Sequence, residues 1–169
     1  MIKASNAIRT ARLMLNTPYS DVDCIRLIVL TIRRTPGGDP DYRCEGTNWL
    51  WQSIDNSSKY RHLTWRQEGI EGAQAGMLAF KRDGSDVHHV GLVTEKGTVI
   101  HSSSVQGRVV ETPLDSSWHL LAKHRMIETA EAAEPEEEQD NVPAPAFTSL
   151  VRDDGTSIML AGAWRVAKD

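Results

Sequence analysis

The chain has 169 residues, 40% of them apolar, which is enough for one substantial core and excludes a disordered or fibrous protein. Its net charge of −4 conceals a mildly basic body: residues 128–140 carry seven acids and no bases, and residues 147–169 balance three against three, so residues 1–127 carry +3. This body has no basic stripe with interleaved aromatic residues, and we expect no nucleic-acid partner.

No run of about 18 apolar residues exists, and the N-terminus has neither the apolar length nor the small-residue cleavage pattern of a signal peptide. The sequence therefore predicts no membrane span and a protein made in the cytoplasm. Two cysteines, Cys24 and Cys44, are too few for a disulfide framework. Without a signal peptide, both are expected to be thiols.

Two helices are predicted before residue 35. Ser5 can cap the first, and residues 16–18 end it; its buried face comprises Ala7, Ile8, Ala11, Met14 and Leu15. The second begins near Ser20 or Asp21 and ends at Arg33-Arg34, and its apolar middle predicts a core helix. Cys24 then lies in the first turn, where the helix dipole and free N–H groups stabilise a thiolate. Alternatively, Cys24 is only a small buried hydrophobe.

The segment 35–75 is the least informative part of the chain. It is turn-rich as far as Cys44, which we interpret as a thiol without a catalytic role, and a helix is predicted around residues 47–54. An aromatic cluster occupies this segment: Trp49, Trp51, Tyr60 and Trp65. These side chains either pack into the core of a helical insertion or line a substrate groove.

A β-hairpin is predicted over residues 86–103, where two runs rich in Val, Ile and Thr flank Glu95-Lys96-Gly97. A two-residue loop would direct His89 and His101 to opposite faces of the sheet. A three-residue loop, a type I turn followed by a left-handed Gly97, shifts the pairing by one residue and places both imidazoles on one face. We predict the three-residue loop.

Further strands are predicted at residues 74–80 and 107–112, with a polar loop at Lys81 to Ser85 and a closing segment at 118–127. Together with the hairpin they form a sheet against which the Cys24 helix packs, which makes residues 1–127 a mixed α+β domain. Residues 128–146 are acidic and rich in Pro and Ala, and we interpret them as a linker. Residues 147–169 contain an Asp-Gly hairpin. Because an isolated hairpin is only marginally stable in water, we expect this one to dock on residues 1–127 or on another chain.

A thiol at a helix N-terminus and two histidines on one strand face are the parts that nucleophilic acyl transfer requires. The hypothesis requires that the histidine face meets Cys24. Cys24, His89 and His101 would also suit zinc, but no short-spaced pair of ligands supports a metal site. We therefore predict no metal and no cofactor.

The order of these motifs resembles the NlpC-type peptidoglycan peptidases, a bacterial branch of the papain-like cysteine hydrolases. The resemblance rests on Thr17-Pro18-Tyr19 before Asp23-Cys24, on residues 75–80, which resemble the family's Gly-Asp-Leu strand, and on His89-Val90-Gly91 followed twelve residues later by His101. It covers residues 5–127. It implies a papain-like α+β fold with N-terminal helices, in which the nucleophile helix packs on an antiparallel β-sheet.

The resemblance also implies the roles of individual residues. Cys24 is the nucleophile, His89 the general base, and His101 the residue that orients the base, while Tyr19 matches a family tyrosine whose hydroxyl lies near the nucleophile. The remaining candidates for the oxyanion or substrate-binding part of the site are Asp23, Ile25, Arg26 and Ser102. The family usually has Ser-Gly where Ile25-Arg26 stand, and that Ser contributes to the donor pocket. His88 is expected on the opposite face, in a structural or solvent-exposed position.

The implied substrate is the stem peptide of bacterial peptidoglycan, cleaved between γ-D-glutamate and a diamino acid such as diaminopimelate. Two other functions stay open: a weakly catalytic or non-catalytic wall-binding or phage-tail-like component, and an acyltransferase or amidase with the same triad. The lack of a signal peptide predicts action on the wall after lysis, by non-classical export, or as part of a phage-like particle.

Overall fold

The computed structural model describes residues 1–54, 62–130, 147–151, 157–161 and 165–166. The elements of its first 130 residues are β1 Ile2–Lys3, α1 Ala4–Arg12, α2 Cys24–Arg34, α3 Thr47–Gln52, β2 Leu63–Glu68, β3 Leu78–Asp83, β4 Asp86–Val93, β5 Thr98–Ser103, β6 Arg108–Pro113, β7 Leu120–His124 and β8 Ile127–Glu128. Among the described helices, none is long and apolar enough to cross a membrane.

A six-stranded sheet organises this part of the chain. Its strand order is β2-β7-β3-β4-β5-β6, and every neighbouring pair is antiparallel. Strands β1 and β8 form a separate parallel pair that joins the two ends of the unit. The predicted α+β class, with an antiparallel sheet and N-terminal helices, is confirmed.

The hairpin of β4 and β5 has the predicted three-residue loop. Leu92 pairs with Ile100 and Val93 with Val99, which leaves Glu95, Lys96 and Gly97 as the loop. Gly97 has a φ of 67°, in the left-handed region that glycine adopts without strain, and its N–H donates to the Thr94 carbonyl at 3.3 Å. The histidines of this hairpin therefore share a face, as predicted.

Both faces of the sheet are packed. Helices α1 and α2 cover one face, where Leu27 and Ile28 of α2 belong to the same buried cluster as Val90, Leu92 and Ile100. A smaller cluster covers the opposite face, and its buried members are Met77, Ala79, Val93, Val99, Trp118 and Leu121. Because side chains alternate along β4 and β5, the two clusters lie on opposite sides of the same strands.

The two predicted helix starts are wrong. Ser5 is not a cap: α1 begins at Ala4, its N-cap Lys3 makes no side-chain hydrogen bond, and the pairing of β1 with β8 fixes the preceding residues. Helix α2 begins at Cys24 rather than near Ser20 or Asp21, because residues 18–22 form a turn that returns the Val22 N–H to the Pro18 carbonyl. Asp23 caps α2, and its carboxylate accepts the Arg26 N–H at 2.8 Å.

The predicted polar loop from Lys81 to Ser85 is mostly strand. Strand β3 continues to Asp83, which pairs with Asp86, so that the turn is reduced to Gly84 and Ser85. Strand β2 was not predicted, although it pairs along β7 at the edge of the sheet. The strands predicted at 74–80 and 107–112 correspond to β3 and β6.

The chain divides into compact units at residues 1–133 and 134–169. Within the first, Glu128 and Ala130 pair with Lys3 and Ala75, although we assigned them to the linker. The rest of the predicted linker lies outside the described residues.

In the second unit, β9 Phe147–Val151 pairs antiparallel with β10 Ser157–Ala161, and β10 pairs antiparallel with β11 Arg165–Val166. The Asp-Gly turn of the predicted hairpin lies outside the described residues.

Candidate active site

Cys24 is the first residue of α2, and contacts with β5 and β6 fix the segment before it. The Tyr19 N–H donates to the Gly107 carbonyl at 2.9 Å, and Pro18 forms an isolated bridge with Arg108. The hydroxyl of Ser102 on β5 donates to the Val22 carbonyl. These contacts hold the N-terminus of α2 against the sheet.

The thiol meets the sheet where β4 and β5 diverge. Their ladder contains only Leu92–Ile100 and Val93–Val99, whereas β5 stays paired with β6 as far as Ser103. The backbone N–H of Val90, beyond the end of the shorter ladder, is one of the groups that lower the pKa of Cys24. The nucleophile candidate therefore lies beside the peptide group that joins Val90 to His89.

The relation between Cys24 and the histidine face differs from our expectation. Cys24 belongs to the helix-side cluster with Val90, whereas His89 and His101 pack against Trp118 on the opposite side. Among the hydrogen bonds of the described residues, none joins the thiol to either imidazole.

The imidazoles of His89 and His101 are hydrogen-bonded to each other. Nε2 of His89 lies 2.8 Å from Nδ1 of His101, and Nε2 of His101 lies 2.9 Å from the hydroxyl of Thr112. The ring centroids of the two imidazoles are 4.9 Å apart and the rings are nearly perpendicular. The hydrogen bonds use both nitrogens of His101 but only one of His89, so Nδ1 of His89 is left for another partner.

Trp118 and Lys81 surround this pair. The indole of Trp118 is buried, and its centroid lies 5.5 Å from that of His89 and 5.1 Å from that of His101. The Nζ of Lys81 lies 4.7 Å from the centroid of the same indole. Burial lowers the pKa of His89 to about 3, with smaller contributions from His101, Lys81 and His88. Burial and Lys81 lower the pKa of His101 to about 4, so both imidazoles are neutral at pH 7.

The thiol is also neutral at rest. Burial raises the pKa of Cys24, and the Asp23 carboxylate raises it further, while the N–H groups of Val90, Ile25 and Cys24 oppose the shift. The sequence led us to expect a helix terminus that favours a thiolate; that effect is present but burial outweighs it. Because the thiol and both imidazoles are neutral, a proton must leave the thiol during nucleophilic attack.

The other predicted site residues differ in their surroundings. Tyr19 is half-buried, and its pKa is raised by burial and by the charges of Cys24 and Asp23. Ser102 is fully buried, and because its hydroxyl is bonded to Val22 it anchors the segment before α2 instead of facing substrate. His88 is exposed, one of the two positions expected for it.

A cavity of about 730 Å³ lies along α2. It is lined by Asp23, Ile25, Arg26, Val29, Arg33, Arg43, Cys44, Glu45 and Trp49. Cys24 is not among the lining residues, because its side chain packs with Leu27 and Ile28 on the buried side of the helix. Three of our candidates, Asp23, Ile25 and Arg26, are therefore brought together in the cavity wall, away from the thiol.

The described residues of the aromatic cluster differ in their surroundings. Trp49 lines it, whereas Trp51 packs edge-on against Phe80 with centroids 5.3 Å apart. Trp65 is 36% exposed on β2, and Tyr60 lies outside the described residues. Cys44 lies in the cavity wall, and both cysteines are free thiols, as expected.

Three residues of the site were not found by sequence reasoning. Thr112 could have been found, because the register of β5 with β6 pairs His101 with Val110 and so places the next same-face residue of β6 beside the imidazole. Trp118 lies in the loop before β7, and Lys81 lies opposite His89 on a strand that we interpreted as a loop. Neither Trp118 nor Lys81 stands in a hydrophobic repeat that would have indicated its place beside the histidines.

Solved structures show what this fold resembles. The NlpC/p60 domain of the peptidoglycan hydrolase SagA is 18% identical with a TM-score of 0.51, over 71% of this chain and 97% of that chain. The peptidoglycan hydrolase RipB from Mycobacterium tuberculosis is 19% identical with a TM-score of 0.51, over 74% of this chain and 65% of that one.

An NlpC/p60 family protein from Bacillus cereus is 20% identical with a TM-score of 0.53, over 73% of this chain and 40% of that one. No protein-family model matches the sequence, and no curated protein does. At these identities the likeness shows the fold: residues 1–130 have the papain-like α+β fold of NlpC/p60 domains, as the motifs predicted.

Proposed function

We propose that this protein is a cysteine peptidase that hydrolyses an amide bond in bacterial peptidoglycan stem peptides. The observation that carries the proposal is the hydrogen-bonded series His89, His101 and Thr112, in the same domain that has Cys24 as the first residue of α2. Two structural neighbours with this fold are named peptidoglycan hydrolases, which supports the choice of substrate.

The hydrogen bonds favour one direction of proton transfer. With both imidazoles neutral, Nε2–H of His89 donates to Nδ1 of His101, and Nε2–H of His101 donates to the Thr112 hydroxyl. Nδ1 of His89 then carries the free lone pair and can accept the proton of Cys24. Thr112 and His101 thereby fix the tautomer and the ring orientation that a general base requires.

The reaction balances within these groups. His89 takes the thiol proton as the sulfur of Cys24 attacks the amide carbonyl, which becomes a tetrahedral oxyanion. Collapse of this intermediate breaks the C–N bond, and His89 returns the proton to the leaving amine. Water, deprotonated by His89, then attacks the thioester, which releases the carboxylic acid and restores the thiol. Positioned proton transfer of this kind contributes about 100-fold to 10,000-fold in rate.

The oxyanion has two donors nearby. The N–H of Cys24 is among the first N–H groups of α2, which have no partner within the helix. The hydroxyl of Tyr19 is the second, since Tyr19 lies close enough to Cys24 for the thiolate charge to shift its pKa. Removal of one such donor typically costs about 100-fold to 1,000-fold in kcat.

We further propose that the bond cleaved joins γ-D-glutamate to a diamino acid, as in the family that the motifs resemble. The acyl part of the substrate would contact Ile25 and Arg26, which replace the usual Ser-Gly. The protein would reach the wall after lysis, by non-classical export or within a phage-like particle.

The test is digestion of purified peptidoglycan by wild type, Cys24→Ala and His89→Ala, with the products identified by mass spectrometry. His88→Ala is the matched control, because His88 is the neighbouring histidine but is exposed. We expect new amine and carboxyl termini with wild type and His88→Ala only. Identical products from wild type and Cys24→Ala would refute a peptidase, and a transferred acyl group in place of a free acid would indicate an acyltransferase.

A further inference from the structure

We propose that Lys81 positions the histidine pair of the candidate active site by holding the Trp118 indole against both imidazoles. The inference deepens the peptidase function proposed above and rests on it, because the pair supplies the general base of that reaction. Neither Lys81 nor Trp118 belongs to the motifs on which the family resemblance rests.

Backbone contacts bring Trp118 and Lys81 together without help from the lysine side chain. The residue after Trp118 is His119, and its N–H donates to the Phe80 carbonyl at 2.9 Å. The Nδ1 of His119 accepts the Arg82 N–H at 3.0 Å. These two bonds use the residues of β3 on either side of Lys81. A substitution of the Lys81 side chain therefore leaves the contact between β3 and the Trp118 segment in place.

The indole of Trp118 contacts both imidazoles of the pair. It lies at 31° to the His89 ring, with centroids 5.5 Å apart, and almost perpendicular to the His101 ring, with centroids 5.1 Å apart. Trp118 is 2% exposed, so its place against the imidazoles excludes water from that side of the pair. A rotation of the indole would therefore change both the orientation of His89 and its access to water.

The ammonium of Lys81 lies over this indole. Its Nζ is 4.7 Å from the ring centroid, within the range of a cation–π interaction. The ion pairs of the described residues involve other cations, Arg12 and Arg82, so no described carboxylate forms an ion pair with Lys81. Hydrogen bonds from Ser117 lower the pKa of Asp115, and the Lys81 charge makes only a smaller contribution. Among the described residues, the contact that fixes the ammonium is therefore the indole.

The pairing of β3 with β4 places Lys81 directly opposite His89. Side chains at opposite positions of an antiparallel pair lie on the same face, so a cation faces the candidate base. Burial lowers the pKa of His89 most, and smaller contributions come from the groups that face it: His101 on β5, Lys81 on β3 and His88 on β4. Burial and Lys81 also lower the pKa of His101. Lys81 therefore keeps the pair neutral by its charge, in addition to holding the indole that buries it.

Two substitutions separate the charge of Lys81 from its bulk. Lys81→Met removes the charge and keeps an unbranched side chain, whereas Lys81→Arg keeps a cation that can lie over the same indole. Lys123→Met is the matched control, because the Nζ of Lys123 lies 5.6 Å from the centroid of Trp65 in a second lysine–indole contact at the β2 edge of the sheet.

The first readout needs no substrate. Two-dimensional NMR of the full-length protein, labelled with 15N-histidine, shows which nitrogen of each imidazole carries the proton. At pH 7 we expect a single Nε2–H tautomer of His89 in wild type, Lys81→Arg and Lys123→Met, and averaged shifts of both tautomers in Lys81→Met. At pH 5 the protonated fraction of His89 should rise about tenfold in Lys81→Met, because a loosened indole and a lost cation both favour the imidazolium.

The second readout is the initial rate of digestion at saturating peptidoglycan. It should fall about tenfold in Lys81→Met and stay near the wild-type rate in Lys81→Arg and Lys123→Met, since only the first variant releases the base from its orientation. A lysine that served stability alone would leave the tautomer of the folded protein unchanged. Unchanged imidazole shifts in Lys81→Met, or equal changes in Lys81→Met and Lys123→Met, would overturn the positioning role.

A double-mutant cycle tests whether Lys81 acts through Trp118. Trp118→Leu removes the ring and keeps an apolar side chain at the buried position; Trp118→Phe, which keeps a smaller ring, serves if the leucine variant does not fold. Lys81→Met should change the His89 tautomer far less in either background than in wild type. An equal change in all backgrounds would contradict the proposal, because Lys81 would then act on the imidazoles directly.

The two readouts separate this inference from the proposed function. Imidazole shifts that change in Lys81→Met, in a protein that does not digest peptidoglycan, would uphold the positioning role and refute the peptidase. Digestion at equal rates by wild type and Lys81→Met, with unchanged imidazole shifts, would uphold the peptidase and refute the positioning role.

Discussion

Tyr42→Phe should destabilise the fold severely, because one buried hydroxyl serves two buried imidazoles. The Oη of Tyr42 lies 2.7 Å from Nδ1 of His62 and 2.9 Å from Nε2 of His124. The Met126 N–H donates to Nδ1 of His124, so Nε2 of His124 carries the proton and donates to the Tyr42 oxygen. The Tyr42 hydroxyl must then donate to His62.

The magnitude follows from what the substitution leaves behind. Tyr42, His62 and His124 are 3%, 2% and 1% exposed, so water cannot replace the lost hydroxyl without a rearrangement. Phenylalanine keeps the ring and its edge-on contacts with both imidazoles. It leaves one buried donor and one buried acceptor unsatisfied, and each costs about 1–3 kcal/mol. The expected loss in the free energy of unfolding is about 2–6 kcal/mol.

The assay is equilibrium urea unfolding of wild type and Tyr42→Phe, followed by far-UV circular dichroism. Tyr19→Phe is the control, because Tyr19 is half-buried and its hydroxyl donates no hydrogen bond to a described residue. It should change the free energy of unfolding by less than about 0.5 kcal/mol. A Tyr42→Phe protein as stable as Tyr19→Phe would show that the hydroxyl does not join the two histidines.

The same histidines predict how wild-type stability depends on pH. Burial, His62 and Arg125 lower the pKa of His124 from 6.5 to about 3. The unfolded chain therefore binds a proton that the folded chain excludes, and stability is complete above pH 6.5 and falls as the pH drops toward 3. At pH 5, His124 alone should cost about 2 kcal/mol relative to pH 7. Constant stability from pH 7 to pH 5 would contradict a neutral buried network.

Two further predictions concern the candidate active site, and a third concerns the stability of the strand beside it. Because burial lowers the pKa of His89 to about 3, kcat/KM for peptide cleavage should stay nearly constant from pH 7 to pH 5 while the protein is folded; an acid limb near pH 6.5 would show a solvated imidazole. Thr112→Val leaves Nε2–H of His101 without its acceptor and should lower kcat about tenfold with little change in KM, whereas an unchanged kcat would show that this hydrogen bond does not orient the pair. Gly91→Ala should destabilise the fold by about 1–3 kcal/mol in urea unfolding, because its Cβ would lie 2.4 Å from Val99 Cγ1 and 2.9 Å from His101 Cβ; a wild-type midpoint would contradict this close approach.

The sequence predicted best the features that depend on neighbouring residues. The hairpin register followed from Gly97, since a left-handed glycine at the end of a three-residue loop determines which residues of β4 and β5 face each other. The face shared by His89 and His101 then followed from alternation. Within the six-stranded sheet, only pairings between strands adjacent in sequence could be obtained in this way.

Contacts between distant segments left no signal in the sequence. Tyr42, His62 and His124 come from three separate segments, and none stands in a periodic pattern that indicates burial beside the others. Arg26 and Arg33 could be placed on one face of α2 by spacing, but Arg43 on the facing segment could not. The order of the strands in the sheet could not be predicted for the same reason. Buried and exposed residues alternate poorly along β2, and this strand pairs with β7, which is more than 50 residues away.

The error in the start of α2 bears directly on the chemistry. A helix that began at Ser20 would place Cys24 one turn inside it, and the Cys24 N–H would be bonded to the Ser20 carbonyl. The turn at residues 18–22 and the cap at Asp23 delay the helix, so that Cys24 is its first residue and its N–H has no partner within the helix. The bond between Ser102 and Val22 fixes that start against β5, next to the point where β5 leaves β4. The Cys24 N–H is therefore left without a partner within the helix, next to its own thiol, and this arrangement depends on the helix starting four residues later than its hydrophobic pattern suggests.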